Sequence, residues 1–391
     1  MDVPRLSIDV PLYEKALVLS EAWLRKATKT PSLNLDADAE VAEALQRCGA
    51  VTEWKLTPTG RKSISKKNLI INHVPIATAL NYRNRLQNLL SQSLRPWLQQ
   101  AQANKDHIFT EWNQVRTARG SDVAGTRTGR LSCARFMNTS KLPSGVLVPT
   151  FIKGCEPLPA VRQYLLPDVG GVWVHRDYSQ QEFRILAHYE NDGLLTTYQK
   201  DPATDYHVNM GKLIDKMTGQ KLGRHQIKTL NFGLLYGMGV GRLAEALGIT
   251  TAHATALRDA QRRVAPGVQA LDSELKRRGR AGEPVRTWGG RQYYCEPPDG
   301  ERSFEYKLLN YLIQGSAADC TKEALIRWSG TKHKARLLVT VHDEINISAP
   351  AGEEKWESEV LREVMEGIEF DVPMLTDAKT GPSWGELTKE I

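Results

Sequence analysis

The chain has 391 residues, 41% of them hydrophobic and 25% charged, which is ordinary usage for a folded protein and excludes wholesale disorder. That length suits two or three domains or one multi-lobed unit. The formal net charge is +7 and the pI about 9.0, which favours a polyanionic partner. Cys48, Cys133, Cys155, Cys295 and Cys320 are scattered and form no CxxC pair. A zinc ribbon or disulfide framework is therefore disfavoured, and a reducing, cytoplasmic compartment is expected. No apolar run approaches the roughly 20 residues of a membrane helix, and MDVPRLSIDVPLYEK lacks a signal-peptide core, so no membrane association is expected.

Residues 14–47 read as helical, with Asp36 or Asp38 as candidate caps for the LDADAEVAEALQRC stretch. TPTGRKSISKKN (57–68) reads as a basic loop. Its Arg61, Lys62, Lys66 and Lys67 are either a solvated surface or a phosphate-gripping tip. Helical spacing resumes over 75–103, with Tyr82, Leu86, Leu89 and Leu90 on one face. From residue 119 the texture turns to Gly, Thr, Ser and Arg. Val172, Trp173 and Val174 then form a β-type run after two glycines, and SQQEFRILAHY has helical spacing. Asp177 thus sits just past a strand at the mouth of a helix, and Ser179 and Glu182 have capping-box spacing. Residues 335–350 read as strand, tight turn and strand, with His342, Asp343 and Glu344 at the hairpin tip.

Carboxylates at strand ends are well placed to hold divalent cations, and two hard cations can clamp an in-line phosphoryl transfer. Taken singly, Asp177 and Asp343 read equally well as turn or cap residues. The stretch GRHQIKTLNFGLLYGMG (223–239) changes that balance. Arg224, Lys228, Phe232 and Tyr236 recur every four residues and share one helical face. A core would not bury two unpaired cations, and a solvent face has no use for Phe. The stripe suits a nucleotide, with cations on the triphosphate and an aromatic beside the base or sugar. GMGVG (237–241) follows a helical segment rather than a strand, which disfavours a dinucleotide fingerprint. HRD (175–177) lacks the Asn and the DFG of a kinase loop, since Glu182 stands five residues after the Asp.

DYSQQEFR (177–184), RHQIKTLNFGLLYG (224–237) and VHDE (341–344) resemble motifs A, B and C of family A DNA polymerases, in that order. TGRLS (128–132), DYH (205–207) and NYLIQGSAAD (310–319) are similar to further family elements, and IDVPLYEKAL and LNLDADAEVAEAL resemble the start of its polymerase region. Motifs A, B and C with TGRLS and NYLIQGSAAD, five in order, make the match specific.

The resemblance implies an α+β right-hand fold, with an antiparallel-sheet palm and mostly helical thumb and fingers. Its boundaries would be a palm segment at 1–13, a thumb at 14–118, palm at 119–190, fingers at 191–285 and palm at 286–391. It implies template-directed addition of dNTPs to a primer 3′-OH by a two-metal mechanism using Mg²⁺, with Mn²⁺ as a substitute. Asp177 and Asp343 would bind metal with the carbonyl of Tyr178, and Glu344 would support the primer terminus. Arg224, Lys228 and His207 would contact the triphosphate, with Lys228 donating a proton to pyrophosphate. Phe232 and Gln180 would border the nucleotide, Tyr236 the template-base gate, and Glu182 the gate against a 2′-hydroxyl. Arg130, Asn310, Gln314 and His342 would follow the duplex, where minor-groove acceptors are shared by both orientations of a pair. His207 also reads as a helix-start surface histidine, Asn310 and Gln314 as interhelical polar contacts, and Arg130 as a loop ion pair.

Gln181 departs from the family's apolar residue there, and SCARFMNTSKLP (132–143) is a loose match that carries a role no further than Asn138. The match begins almost at residue 1, so no proofreading or 5′-nuclease domain is expected in this chain. A monomer on primer–template DNA is expected, with any exonuclease or processivity factor a separate partner. A single-subunit RNA polymerase is the nearest alternative, but it has a small residue where Glu182 stands. A catalytically silent DNA-binding module would not need Asp177, Asp343, Arg224 and Lys228 intact. A two-carboxylate nuclease would not need the triphosphate stripe.

Overall fold

The computed structural model describes residues 5–64, 69–109, 111–119, 122–134, 147–219, 221–301 and 303–391, so Lys66, Lys67 and Asn138 lie outside the described residues. The chain divides into two compact units: Met1–Thr110 with Arg135–Val169 and Gly381–Leu387, and Glu111–Ala134 with Gly170–Thr380 and Thr388–Ile391.

The first unit is mainly helical. The expected 14–47 helical stretch resolves into Val10–Ala27 and Asp38–Arg47, separated by a turn containing Pro31. Neither expected cap forms. Ala37 is the N-cap residue and Asp38 already lies in the first turn. The Asp36 carboxylate is taken instead by the buried Arg83 at 2.6 Å, which also holds Glu21 at 2.9 Å. Burying a guanidinium demands such partners, and this outweighs a local cap. The 75–103 expectation corresponds to Val74–Leu89, a five-residue π turn Leu90–Leu94, and Arg95–Ala103. Pro96 cannot donate a helical hydrogen bond, and the π turn just before it absorbs the mismatch. Tyr82, Leu86, Leu89 and Leu90 are buried, as their spacing requires. In the basic loop, Lys62 lies 5.5 Å over the Trp54 ring and its ammonium reaches Gln46, while Arg61 is exposed.

The second unit holds a five-stranded sheet ordered Arg336–Val341, Glu344–Pro350, Gly171–Tyr178, Thr376–Gly381 and Lys389–Glu390. The central strand begins with β-branched and aromatic residues after glycine, and Trp173 and Val174 are fully buried. Its neighbour Glu344–Pro350 runs antiparallel in register from Glu344 opposite Asp177 to Pro350 opposite Gly171. Helix Glu354–Glu366 packs on this strand pair, and helix Leu308–Ser329 packs on Gln181–Glu190 and on Glu354–Glu366. Leu308–Ser329 is buried on most of its circumference, so neighbouring side chains approach its backbone closely at Gly315. A Cβ there would sit 2.7 Å from Thr287 and from the Tyr293 hydroxyl. A helical layer of Gly193–Lys200, Tyr206–Thr218, Arg224–Leu235, Val240–Leu247, Thr251–Val264 and Pro266–Arg280 completes the unit.

Candidate active site

Sheet register gathers the acidic residues. Asp177 stands directly opposite Glu344, and the turn His342–Asp343 precedes Glu344 on the adjoining strand. Directly opposed like charges repel, so a structural role alone would not favour this register. The hairpin needs an unusual backbone: His342 adopts φ 59°, a left-handed conformation that L-residues seldom take. The Tyr178 N–H donates to the Asp343 carbonyl at 3.4 Å, tying the two strand ends together. Burial, then the charge of Asp343 and Glu344, pushes the Asp177 carboxyl up to about 8. Burial likewise raises Asp343. The Asp177 Oδ1 is buried with no hydrogen-bond partner among the described residues. Glu344 is held by the Asn346 side-chain amide at 3.0 Å, with His175 Nδ1 3.9 Å away.

Orphaned carboxylate oxygen beside a second carboxylate is what a hard divalent cation would complete. Among the described residues no group of three or more His, Cys, Asp or Glu side chains gathers as a metal cage. Two carboxylates and a backbone carbonyl suit an ion that keeps water and substrate phosphate in its shell.

The cation–aromatic stripe lies on helix Arg224–Leu235, with Tyr236 as its C-cap residue. Lys228, Phe232 and Tyr236 line a cavity of about 440 Å³ with His225, Thr229 and Met238. The Lys228 ammonium lies 5.7 Å from the Phe232 ring centre. Arg224 pairs with Asp205 at 2.8 Å. Phe232 packs edge-on against Phe183 at 5.1 Å, so the cation–aromatic stripe is braced by the helix that follows the central strand.

His207 is not a surface histidine: it is buried. Gln261 donates to the Asn231 side-chain oxygen at 2.9 Å, which fixes that amide, and Asn231 Nδ2 donates to His207 Nδ1 at 3.1 Å. The ring proton therefore sits on Nε2. Burial pushes the His207 imidazole down to about 4, so it is a neutral donor at pH 7. Gln180 takes a left-handed backbone at φ 57°, and its amide is spent on this region's loop. It donates to the Thr204 carbonyl at 3.1 Å and accepts from the Tyr206 N–H at 2.8 Å.

The capping box expected from Ser179 and Glu182 does not form. Gln180 is the N-cap residue and makes no side-chain cap. Glu182 turns away to longer-range partners: Arg130 donates to Oε1, and the Tyr236 hydroxyl donates to Oε2 at 3.0 Å. Arg130 is half-buried in a loop closed by the Thr126 hydroxyl donating to its carbonyl. Gln314 approaches the Tyr236 hydroxyl, and Asn310 lies one turn earlier on the same helix face; both are half-buried. His342 shares a small cavity with Arg130, Lys322 and Thr340. Desolvation and the Arg130 charge push its imidazole down to about 4. Gln181, the departure in motif A, is buried and donates to the Thr321 hydroxyl at 3.1 Å, so its polar group is satisfied.

Several supporting residues carry no local signal. Asn346 also accepts from the buried Trp173 indole at 2.8 Å, so one amide aligns both strands beneath Glu344. Its position two residues after Glu344, on the same strand face, is the only hint in the sequence. Arg184 is fully buried and donates to the carbonyls of Ser179, Pro373 and Pro202. Asn231 and Gln261 act through His207, 24 and 54 residues away in sequence.

The class defined by this sheet end and helix stripe is that of the nucleotide polymerases, and the chain belongs to DNA polymerase family A, whose model matches residues 13–386. It is 33% identical over 283 residues to the DNA polymerase of Mycobacterium phage D29, covering 70% of this chain and 45% of that protein. It is 29% identical over 347 residues to the thermostable DNA polymerase I of Thermus aquaticus, covering 84% of this chain and 39% of that protein. A solved structure of the POL domain of Pol1 from M. smegmatis, in complex with DNA primer-template and dNTP, shares the fold. That match has a TM-score of 0.70 at 22% identity, over 98% of this chain and 68% of the other. The α+β polymerase fold is thus that of this chain. The chain spans less than half the length of the curated relatives it matches. Among the described residues no helix is long and apolar enough to cross a membrane.

Proposed function

We propose that this chain is a template-directed DNA polymerase that adds dNTPs to a primer 3′-OH and releases pyrophosphate. The reading is supported above all by one juxtaposition: the register that opposes Asp177 to Glu344 beside Asp343, in the same unit as the Arg224–Tyr236 stripe. Two Mg²⁺ ions, held by Asp177, Asp343 and the Tyr178 carbonyl, would supply a lowered pKa at the 3′-OH and charge neutralisation on the triphosphate.

The chain's own residues position and polarise. Arg224 and Lys228 bind the triphosphate as cations, and His207 donates from Nε2 without adding charge. Lys228 supplies a proton to the departing pyrophosphate. Phe232 borders the sugar and base, and Tyr236 stands at the template-base gate. Glu182, held by Arg130 and Tyr236, presents a carboxylate edge that a 2′-hydroxyl would meet. Release of Tyr236 from Glu182 lets the helix close on a correct pair, so geometry gates chemistry. Arg130, Asn310, Gln314 and His342 follow the minor groove, and Glu344 supports the primer terminus. Gln180 serves by holding the loop that carries Asp205 and His207. Residues 14–118 are the thumb, 191–285 the fingers, and 1–13, 119–190 and 286–391 the palm.

The test is extension of a recessed 3′ end with Mg²⁺ and dNTPs or rNTPs, beside Asp343→Ala. Extension with dNTPs alone, abolished by the substitution, supports the proposal. Extension with rNTPs would make the chain an RNA-synthesising enzyme. Salt-sensitive duplex binding with no extension would leave only a binding module.

A further inference from the structure

One cavity extends past the triphosphate contacts of that reading, sharing Arg224 and His207 with them. Between helix Tyr206–Thr218 and the start of Arg224–Leu235 lies a space of about 300 Å³ whose walls include His207, Lys212, Asp215, Lys221 and Arg224. Lys212 and Lys221 are exposed, and neither has an ion-pair or hydrogen-bond partner among the described residues. Arg224 is already matched by Asp205 at 2.8 Å. Two unmatched ammonium groups therefore face one free carboxylate, Asp215, around a single concavity. The cavity also lies at the N-terminal end of a 12-residue helix whose Gly223 N-cap offers no side chain, so the helix dipole adds to the positive field. The buried His207 also lines this cavity. Cations and a helix start around one opening are complementary to a compact polyanion.

We propose that this cavity is a docking site for inorganic pyrophosphate, held by Lys212 and Lys221 beyond the triphosphate contacts of Arg224 and Lys228. The inference rests on the polymerase reading, in which pyrophosphate is the product. Arg224 lies on the wall of this cavity and Lys228 on that of the neighbouring one, one helical turn away. Pyrophosphate freed at Lys228 thus passes Arg224 to reach the two lysines. They govern product affinity and the reverse reaction, in which pyrophosphate attacks the primer's terminal phosphodiester and regenerates a dNTP.

The test uses the full chain and inorganic pyrophosphate as probe. Calorimetric titration compares wild type with the double variant Lys212→Ala/Lys221→Ala and with Lys212→Arg/Lys221→Arg. Loss of two charge-assisted contacts weakens pyrophosphate binding roughly tenfold or more, and the arginine pair retains it. In primer extension, inhibition by pyrophosphate weakens in parallel, while KM for dNTP moves less than about threefold. Pyrophosphate affinity within about twofold of wild type in the alanine variant overturns the proposal. Equal weakening of dNTP KM and pyrophosphate binding also overturns it, because the lysines would then hold the substrate's terminal phosphate. Failure of the wild type to incorporate any nucleotide refutes the polymerase reading instead, and the calorimetric comparison still decides the anion site.

Discussion

Asp177→Asn makes the metal-free protein more stable, increasingly so as pH rises. Asp177 is a carboxylate raised from 3.8 to about 8, with burial the chief cause and Asp343 the next. The folded protein therefore holds a proton that the unfolded chain has lost. The stability associated with that proton is complete below about pH 4 and is lost as pH rises through about 8. At about 1.4 kcal/mol per pH unit, that window sets a ceiling of about 6 kcal/mol. Asp177 and Asp343 share their titration, and water relaxes the cost, so about 1–3 kcal/mol is expected. For a folding unit of this size that corresponds to about 3–10 °C in Tm. The assay is thermal unfolding of wild type and variant in chelator, from about pH 5 to about pH 8. The variant's advantage grows with pH, and saturating Mg²⁺ raises the wild-type Tm but not the variant's. A difference that is constant across that range, or a variant less stable than wild type at about pH 8, refutes the claim that burial and the neighbouring carboxyl groups penalise ionisation of Asp177.

The other predictions concern positioning and packing. Glu182→Ala admits ribonucleotides, raising the rNTP-to-dNTP ratio of kcat/KM by about tenfold or more in single-nucleotide assays. Asn231→Leu removes the donor that fixes His207 at Nδ1, so KM for dNTP rises several-fold while kcat changes less; an unchanged KM would mean the tautomer is held by other means. Arg83→Leu leaves Glu21 without its buried partner and lowers stability by about 2–4 kcal/mol, read from denaturant midpoints. Gly315→Ala forces a Cβ against Thr287 and Tyr293 and costs about 1–3 kcal/mol by the same measurement.

The parts of the site that follow a short period were legible in the sequence. The alternation around His342–Asp343 gave the hairpin, and fourfold spacing gave the Arg224–Tyr236 face. Local rules failed where a distant partner competed better. Glu182 had the spacing to cap its own helix, yet Arg130 and Tyr236, 52 and 54 residues away, hold it instead. Asp36 had the chemistry of a cap, but Arg83 needed its charge more. His207 kept a surface reading as its alternative because nothing near it in sequence announces Asn231 and Gln261. Asn346 and Arg184 were silent for the same reason: their partners are brought together by sheet register and by loops up to 189 residues away.

The most direct test of the central claim is single-nucleotide incorporation with each dNTP against each of the four template bases, on one recessed primer in Mg²⁺. Addition of the complementary nucleotide only, lost in Asp177→Asn and Asp343→Ala, is the predicted result. Addition that ignores the template base, or that survives either substitution, would contradict template-directed synthesis at this pair of carboxylates.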